Sequence, residues 1–235
     1  TFSTQNDYSD SGGNLSGNRV FGAGLCNETR GLFAGNAVPY ENLIEYVTIS
    51  ALGNSIDFGD ISFGKSGYSY GLSSTTRGII AGGLRVSAPD TDSYKEVGFV
   101  TISSTGNTSD FGDLNYDKYE GGAGTSATRG VVMAGYGPNY TQLIEFCTMA
   151  TTGNFLEFGD LTNLNGVGKY SASSKTRAVV GGGYVHPGSG DLGYSNTIEF
   201  ITIATTGNSA DFGDFISFGR RANSFNNSCN GHGGL

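Results

Sequence analysis

Two histidines and three cysteines are all the imidazole and thiol groups this 235-residue chain offers a transition metal, and neither type is clustered. His186 lies beside Pro187 and Gly188, and His232 lies near the C-terminal end. The pair makes no zinc set, and no Ser-His-Asp order can be assembled around either. Cys26, Cys147 and Cys229 form no CxxC and are odd in number, which excludes a zinc ribbon and a disulfide framework of several bridges. Charge is scarce as well: Asp, Glu, Lys and Arg make up 14% of the chain, with a formal net charge of −8 and no basic cluster. Such a chain lacks the electrostatic footprint of a nucleic-acid binder. No apolar run approaches the roughly 18 residues of a membrane-spanning helix, and no signal-peptide pattern opens the sequence. Thr1 in place of Met is what a processed chain or an excerpt would show.

Glycine is abundant instead, at 40 residues. No Gly-X-Y period runs through them, so collagen is excluded. They recur at turns or beside apolar residues, the pattern of many short strands.

One stretch recurs along the chain. Thr197-Ile-Glu-Phe-Ile-Thr-Ile-Ala-Thr-Thr-Gly-Asn-Ser-Ala-Asp-Phe-Gly-Asp214 has counterparts from Ile44 to Asp60, Val97 to Asp113 and Ile144 to Asp160. Its first half is β-branched and aromatic and apolar on both faces, which predicts a strand packed between layers. Gly207-Asn208 suits a hairpin turn, and Asp211-Phe-Gly-Asp214 reads as a short second strand. Cys147 stands where other copies carry Val47, Val100 and Ile201, so it reads as a small core hydrophobe. Cys26 and Cys229 fall at similar places in their repeats, which leaves a disulfide between them open.

Upstream of each hairpin lies a second unit: Thr29-Arg-Gly, Thr76-Arg-Gly, Thr128-Arg-Gly and Thr176-Arg-Ala, each followed by apolar and then small residues. Before that comes a segment rich in Gly, Ser and Tyr, suited to a strand crowded against a central axis. Each repeat thus holds four strands, a to d. Arg30, Arg77, Arg129 and Arg177 are spaced by 47, 52 and 48 residues, close to the length of a four-stranded propeller blade. The expected fold is all-β: a single β-propeller domain over 1–235 with about five four-stranded blades. Blades 13–62, 63–114, 115–162 and 163–216 are followed by a fifth assembled from 217–235 and 1–12. Closure by both termini is favoured because a ring removes open sheet edges.

The Gly-Gly ending of strand b at Gly182, the Asn-Thr-Ile-Glu-Phe opening of strand c at Asn196 and the d strand after a Gly-Asn turn resemble the kelch repeat. The tryptophan usual in that repeat is absent; Phe58, Phe111, Phe158 and Phe212 stand in its place. The Thr-Arg-Gly unit, paired with Ala-Thr-Thr-Gly-Asn and Asp-Phe-Gly-Asp, is similar to kelch-like repeats in structural proteins of marine bacteriophages. That resemblance implies a virion or tail component, with other virion subunits or a host-surface glycan or protein as partner. It supplies no catalytic residue, cofactor or metal.

Two carboxylate sets could carry chemistry. Asp57/Asp60, Asp110/Asp113, Glu157/Asp160 and Asp211/Asp214 recur in every blade, so they encircle the ring and do not converge on one site. The first acid of each is expected to form a structural ion pair with its own blade's arginine: Arg30 with Asp57, Arg77 with Asp110, Arg129 with Glu157 and Arg177 with Asp211. Glu45, Glu145 and Glu199 form the second set, with Gly98 in the fourth blade-equivalent place, and are expected on a sheet surface or rim.

The sharper signal is variation. The a–b and c–d turns are nearly constant, whereas the b–c connections differ, short at 36–41 and 136–141 and long at 84–94 and 184–195. With four antiparallel strands these connections share one face of the ring, and loops on a rigid scaffold are where recognition residues accumulate. Tyr40, Arg85, Asp90, Asp92 and Tyr94 form half of the expected contact set. Tyr136, Tyr140, Tyr184, His186 and Tyr194 form the rest. Tyrosine brings an apolar face and a hydroxyl. The function expected is a non-enzymatic virion structural or attachment protein of a bacteriophage (tail, fibre or decoration type), a rigid platform in an extracellular particle, with homo-oligomeric assembly there left open. The alternative is a glycan-binding lectin propeller with equivalent pockets between blades.

Overall fold

The repeats fold as the strand pattern requires, each as one antiparallel sheet. The computed structural model describes residues 13–87, 90–162, 166–167, 169–185, 193–216 and 227–228. Blade 1 runs from the inside out as β1 (Ala23–Cys26), β2 (Arg30–Ala37), β3 (Tyr40–Thr48) and β4 (Ile56–Asp60). Blade 2 repeats this with β5 (Tyr70–Ser73), β6 (Arg77–Ser87), β7 (Asp90–Thr101) and β8 (Ser109–Asp113). Blade 3 does so with β9 (Gly122–Thr125), β10 (Arg129–Tyr136), β11 (Tyr140–Thr148) and β12 (Leu156–Asp160). A short β13 (Gly166–Val167) precedes blade 4, whose sheet consists of β14 (Tyr170–Ser173), β15 (Arg177–Gly181), β18 (Thr197–Thr202) and β19 (Ala210–Asp214). Between β15 and β18, β16 (Tyr184–Val185) and β17 (Gly193–Tyr194) pair with β13 as a separate three-stranded sheet. No helix occurs among the described residues. The fold is an all-β propeller with four four-stranded blades described.

The expected fifth blade falls on residues outside the description, apart from β20 (Asn227–Ser228). That pair runs parallel to β5, opposite Gly71 and Leu72, and touches β1, β9 and β14 as well.

The core lies between blades. Leu25, Leu32, Ile44 and Phe58 of blade 1 pack with Ile80, Val100 and Ile102 of blade 2. The opposite face of blade 2, with Tyr70, Ile79, Val97 and Phe111, packs on Val132, Cys147, Met149 and Phe155 of blade 3. Val131, Met133, Ile144 and Phe158 of blade 3 meet Ala178, Val180, Ile201 and Ile203 of blade 4. Both faces of a central blade are therefore buried, which accounts for strands without a polar face. Cys147 sits in this core as expected, and burial pushes its thiol up to about 12.

The Gly-Asn turns clasp one blade to the next. Gly106, Gly153 and Gly207 donate their backbone N–H to the carbonyls of Phe58, Phe111 and Phe158 on the preceding blade, at 2.7, 2.7 and 2.8 Å. The adjoining Asn107, Asn154 and Asn208 accept from the amides of Asp60, Asp113 and Asp160 at 2.9–3.0 Å. Asn14 donates in the same way to Asn54 Oδ1, so residues 13–14 supply the preceding half of this joint for blade 1. The fit requires bare backbone. A Cβ on Gly112 would lie 2.5 Å from the Gly153 carbonyl carbon, at a φ of +138°.

The arginines tie the same joints, and here the structure corrects the expected ion pairs. None of Arg30–Asp57, Arg77–Asp110, Arg129–Glu157 or Arg177–Asp211 is among the ion pairs of the described residues. Arg30, Arg77 and Arg129 instead donate from Nη1 to the carbonyls of Ile102, Met149 and Ile203 on the following blade, each at 3.0 Å. Their guanidinium carbons lie 4.5, 4.3 and 4.4 Å from the ring centroids of Tyr46, Phe99 and Phe146, and Arg177 lies 4.8 Å from Phe200. The reason is parity. Arg77 is opposite Thr101, on the face shared with Phe99, while Asp110 is opposite Gly98, one residue out of phase and on the other face. The same register places Asp57, Glu157 and Asp211 opposite Glu45, Glu145 and Glu199.

Two outcomes follow for chemical or thermal unfolding. Arg77→Met should cost about 1–3 kcal/mol through the lost carbonyl bond and cation–π contact. That loss should couple to Phe99→Leu and add independently to Asp110→Asn; coupling to Asp110 would restore the ion pair. Gly112→Ala should cost about 2–4 kcal/mol through overpacking and strain. Gly106→Ala should cost only about 1 kcal/mol, because φ there is +154° but no described atom lies within 4 Å.

Candidate binding face

The b–c connections separate the blades, and they carry the expected contact residues in three groups. In blade 2 the connection is not a loose loop: β6 and β7 stay paired out to Ser87 opposite Asp90. On this ribbon Arg85 Nη2 meets Asp92 Oδ2 at 3.4 Å and its guanidinium lies over the Tyr94 ring at 4.9 Å. Tyr94 is only 4% exposed and packs edge-on against Phe63 at 5.9 Å. It therefore packs into the blade as well as bordering a cleft. Gly64 makes room for it, since a Cβ there would meet the Tyr94 hydroxyl at 3.0 Å. Burial raises the Tyr94 hydroxyl above its ordinary value, against the opposing charge of Arg85.

In blade 3, Tyr136 and Tyr140 hold their rings 4.7 Å apart. In blade 4, Tyr184 and Tyr194 meet edge-on at 6.0 Å across a two-residue ladder; His186 lies outside the described residues. Tyr40 of blade 1 is half-buried. Burial raises its hydroxyl pKa first, and the neighbouring Tyr68 and Glu120 add to the shift.

Sequence reasoning missed a set nearer the axis. Rings run from Tyr136 to Tyr119 (5.5 Å), Tyr68 (6.0 Å) and Phe21 (a further 4.3 Å, stacked), crossing three blades. Phe21, Tyr68 and Glu120 all take left-handed backbone, with φ of 59°, 60° and 58°. Bulky side chains rarely accept that conformation. Here it turns the Tyr68 N–H to the Phe21 carbonyl at 2.5 Å and the Glu120 N–H to the Tyr68 carbonyl at 3.2 Å, linking the blades around the axis. Each stands nine positions before its blade's arginine, a signal that alignment on the arginines would have exposed.

Two clefts include residues of the b–c connections in their walls. One, of about 530 Å³, lies between the blade 2 ribbon and Gly137–Pro138 and includes Arg85, Asp92 and Tyr94 in its wall. The other, of about 810 Å³, is walled by Tyr116, Tyr140, Leu143 and Leu156. Asp117 and Pro138 belong to both. Burial raises the Asp117 carboxyl, Glu96 adds to this and Lys95 opposes it.

The second carboxylate set is not at a rim. Glu45, Glu145 and Glu199 are 2%, 0% and 0% exposed, which corrects that expectation. Each anchors the segment that enters its blade, accepting backbone N–H bonds from Ser16 (3.0 Å), Asn115 (2.6 Å) and Thr162 (3.1 Å). Cations accompany them. Arg19 Nη2 lies 2.6 Å from Glu45, Lys118 pairs with Glu145 in full burial, and Lys169 donates to the Gly182 carbonyl within the field of Glu199. Burial lowers the Lys118 ammonium pKa and brings that of Lys169 to about 8. In blade 2 the acid is Gly98, where a Cβ would lie 2.9 Å from Thr108 and 3.0 Å from Phe63. An apolar ring has replaced the charge. Among the described residues no group of three or more His, Cys, Asp or Glu could hold a metal ion.

Burial alone would raise the Glu45 carboxyl, but hydrogen bonds from Ser16, Ser55 and Arg19 outweigh it and hold the pKa below its ordinary value. A depressed folded-state pKa gives stability that is complete above the unfolded value, roughly 4.3, and is lost as pH falls through the folded one. Thermal midpoints should therefore drop as pH is lowered through that window, and Glu45→Gln should flatten the dependence. An unchanged slope would show that Glu45 does not govern it.

No family model matches the chain. No curated protein sequence is significantly similar to it. Solved structures do match in shape. The structure titled "Structure of YjhT" superposes with a TM-score of 0.72 at 8% identity, over 86% of this chain and 68% of that one. At that identity the likeness is one of fold, and it places this chain among the β-propellers.

Proposed function

We propose that this chain is a non-enzymatic binding platform built from kelch-like repeats, a structural or attachment component of a bacteriophage particle that engages its partner through the b–c face. One contrast carries the reading. The joints between blades repeat residue for residue, the same arginine, carbonyl, glycine and asparagine each time. The b–c connections differ in every blade: a Val38-Pro39 turn, a ribbon reaching Ser87 and Asp90, a short turn at Gly137–Asn139, and the Tyr184–Tyr194 ladder. A constant frame with variable, tyrosine-bearing tips suits recognition of a surface or a neighbouring subunit.

Antibody raised against the purified chain should decorate particles concentrated from the source material. Labelling of cell debris with none on particles would remove the virion assignment. Shortening the blade 2 ribbon to the length of blade 1's turn should weaken adsorption to the partner surface at least tenfold while leaving the melting temperature within a few degrees. Unchanged adsorption would move the interface off this face.

A further inference from the structure

One cleft between blades is wider than its blade 2 counterpart, about 810 Å³ against about 530 Å³, and the residues that differ are few. The comparison uses two equivalent positions. Glu41, Tyr94 and Thr141 are the first paired residues beyond the bulge of strands b and c in blades 1, 2 and 3, opposite Asn36, Gly83 and Gly135. Gly17, Gly64 and Tyr116 stand thirteen positions before Arg30, Arg77 and Arg129. In blade 1, Glu41 fills the space by pairing with Arg19 Nη1 at 2.5 Å. In blade 2 the Tyr94 side chain narrows it, with its hydroxyl over Gly64, and leaves the smaller cleft that Arg85 and Lys95 also line. In blade 3 the corresponding cation, Lys118, is fully buried on Glu145. Thr141 is too short to replace either filler. The result is the groove of about 810 Å³, which both Tyr116 and Tyr140 line.

The groove's chemistry narrows what it can hold. Tyr116 is 62% exposed and Leu156 60%, an unusual outlay of apolar surface beside a cavity. Tyr140 is braced from behind by Tyr136, so its ring is held in place. The same wall includes the amide residues Asn115 and Asn139 and the acidic residues Asp117 and Glu157. No Lys or Arg lines the groove among the described residues. A ligand must therefore present apolar C–H faces to tyrosine and hydroxyl donors to carboxylate and amide oxygens, and it must not be anionic. Sugars without acid groups have that double character.

We propose that this groove of blade 3 is a single binding site for a neutral carbohydrate chain. The proposal rests on the binding-platform reading and names the ligand class for one part of that face. It also separates this chain from a lectin with equivalent pockets in every blade, because the blade 2 cleft is narrowed by Tyr94 and lined by Arg85 and Lys95, and that of blade 1 carries the Glu41–Arg19 ion pair.

The test is calorimetric titration of the full chain with gluco-, galacto- and manno-oligosaccharides, and with uronic-acid oligosaccharides as the acidic arm. At least one neutral series should bind at one site per chain, and the acidic arm should bind at least tenfold more weakly. Tyr116→Ala should reduce affinity at least tenfold and Tyr116→Phe should retain it, with unchanged melting because the side chain is largely exposed. Tyr116→Gly with Thr141→Tyr transplants the Gly64–Tyr94 arrangement of blade 2 and should abolish binding. Absence of binding to every neutral series, equal binding of the acidic arm, more than one site per chain, or full affinity in the transplanted variant would each overturn the proposal. Adsorption to the partner surface that survives Tyr116→Ala would leave the platform reading in place and remove only the carbohydrate site.

Discussion

A sheet that is apolar on both faces cannot be left beside water, and every other feature of this propeller follows from that constraint. Each described blade uses its neighbours as the other half of its core. Ile79 and Phe111 face one way, and Ile80 and Val100 the other, so blade 2 belongs to two cores at once. Apolar contact alone would let such sheets slide. The Gly-Asn turns set the register, because their bonds to the preceding d strand have one geometry. The arginines add a directional bond to the following blade, with the planar guanidinium flat on an aromatic ring.

Most of the architecture was legible because it repeats. Four strands per blade, the constant turns and the buried Cys147 could be read from periodicity. The ion pairs could not, because a single-residue phase decides them. A bulge between Val97 and Gly98 shifts the d strand and sends Asp110 to the face away from Arg77. Nothing in the composition of Asp-Phe-Gly-Asp announces that shift. The buried glutamates were misjudged for a related reason. Glu45 and Glu145 look like outward residues in an alternating strand until Arg19 and Lys118, in segments read only as glycine-rich, are seen to reach them.

The b–c face was legible in outline only. The b–c connections were correctly singled out as variable, and Tyr136 and Tyr140 do come together. Tyr94, by contrast, turns inward because Gly64 leaves a hole of its size. Whether a loop tyrosine is a tool or a filler depends on a residue some thirty positions away, and one sequence does not reveal that partner. The aromatic row through Phe21, Tyr68 and Tyr119 escaped notice because it is built from residues entering the inner strands.

The arginine bonds also give the array a polarity. Blades 1 to 3 each reach forward with a guanidinium and are held from the front by a turn, so the joints among the described blades are head-to-tail and their two halves are unlike. A heterologous joint of this kind has no built-in stopping point; closure depends only on the angle accumulated per blade. The natural unit of gain or loss for such a chain is therefore a whole repeat. An excised or inserted blade leaves every surviving guanidinium facing a carbonyl and every glycine facing a turn. A cut at any other length strands one half of a joint.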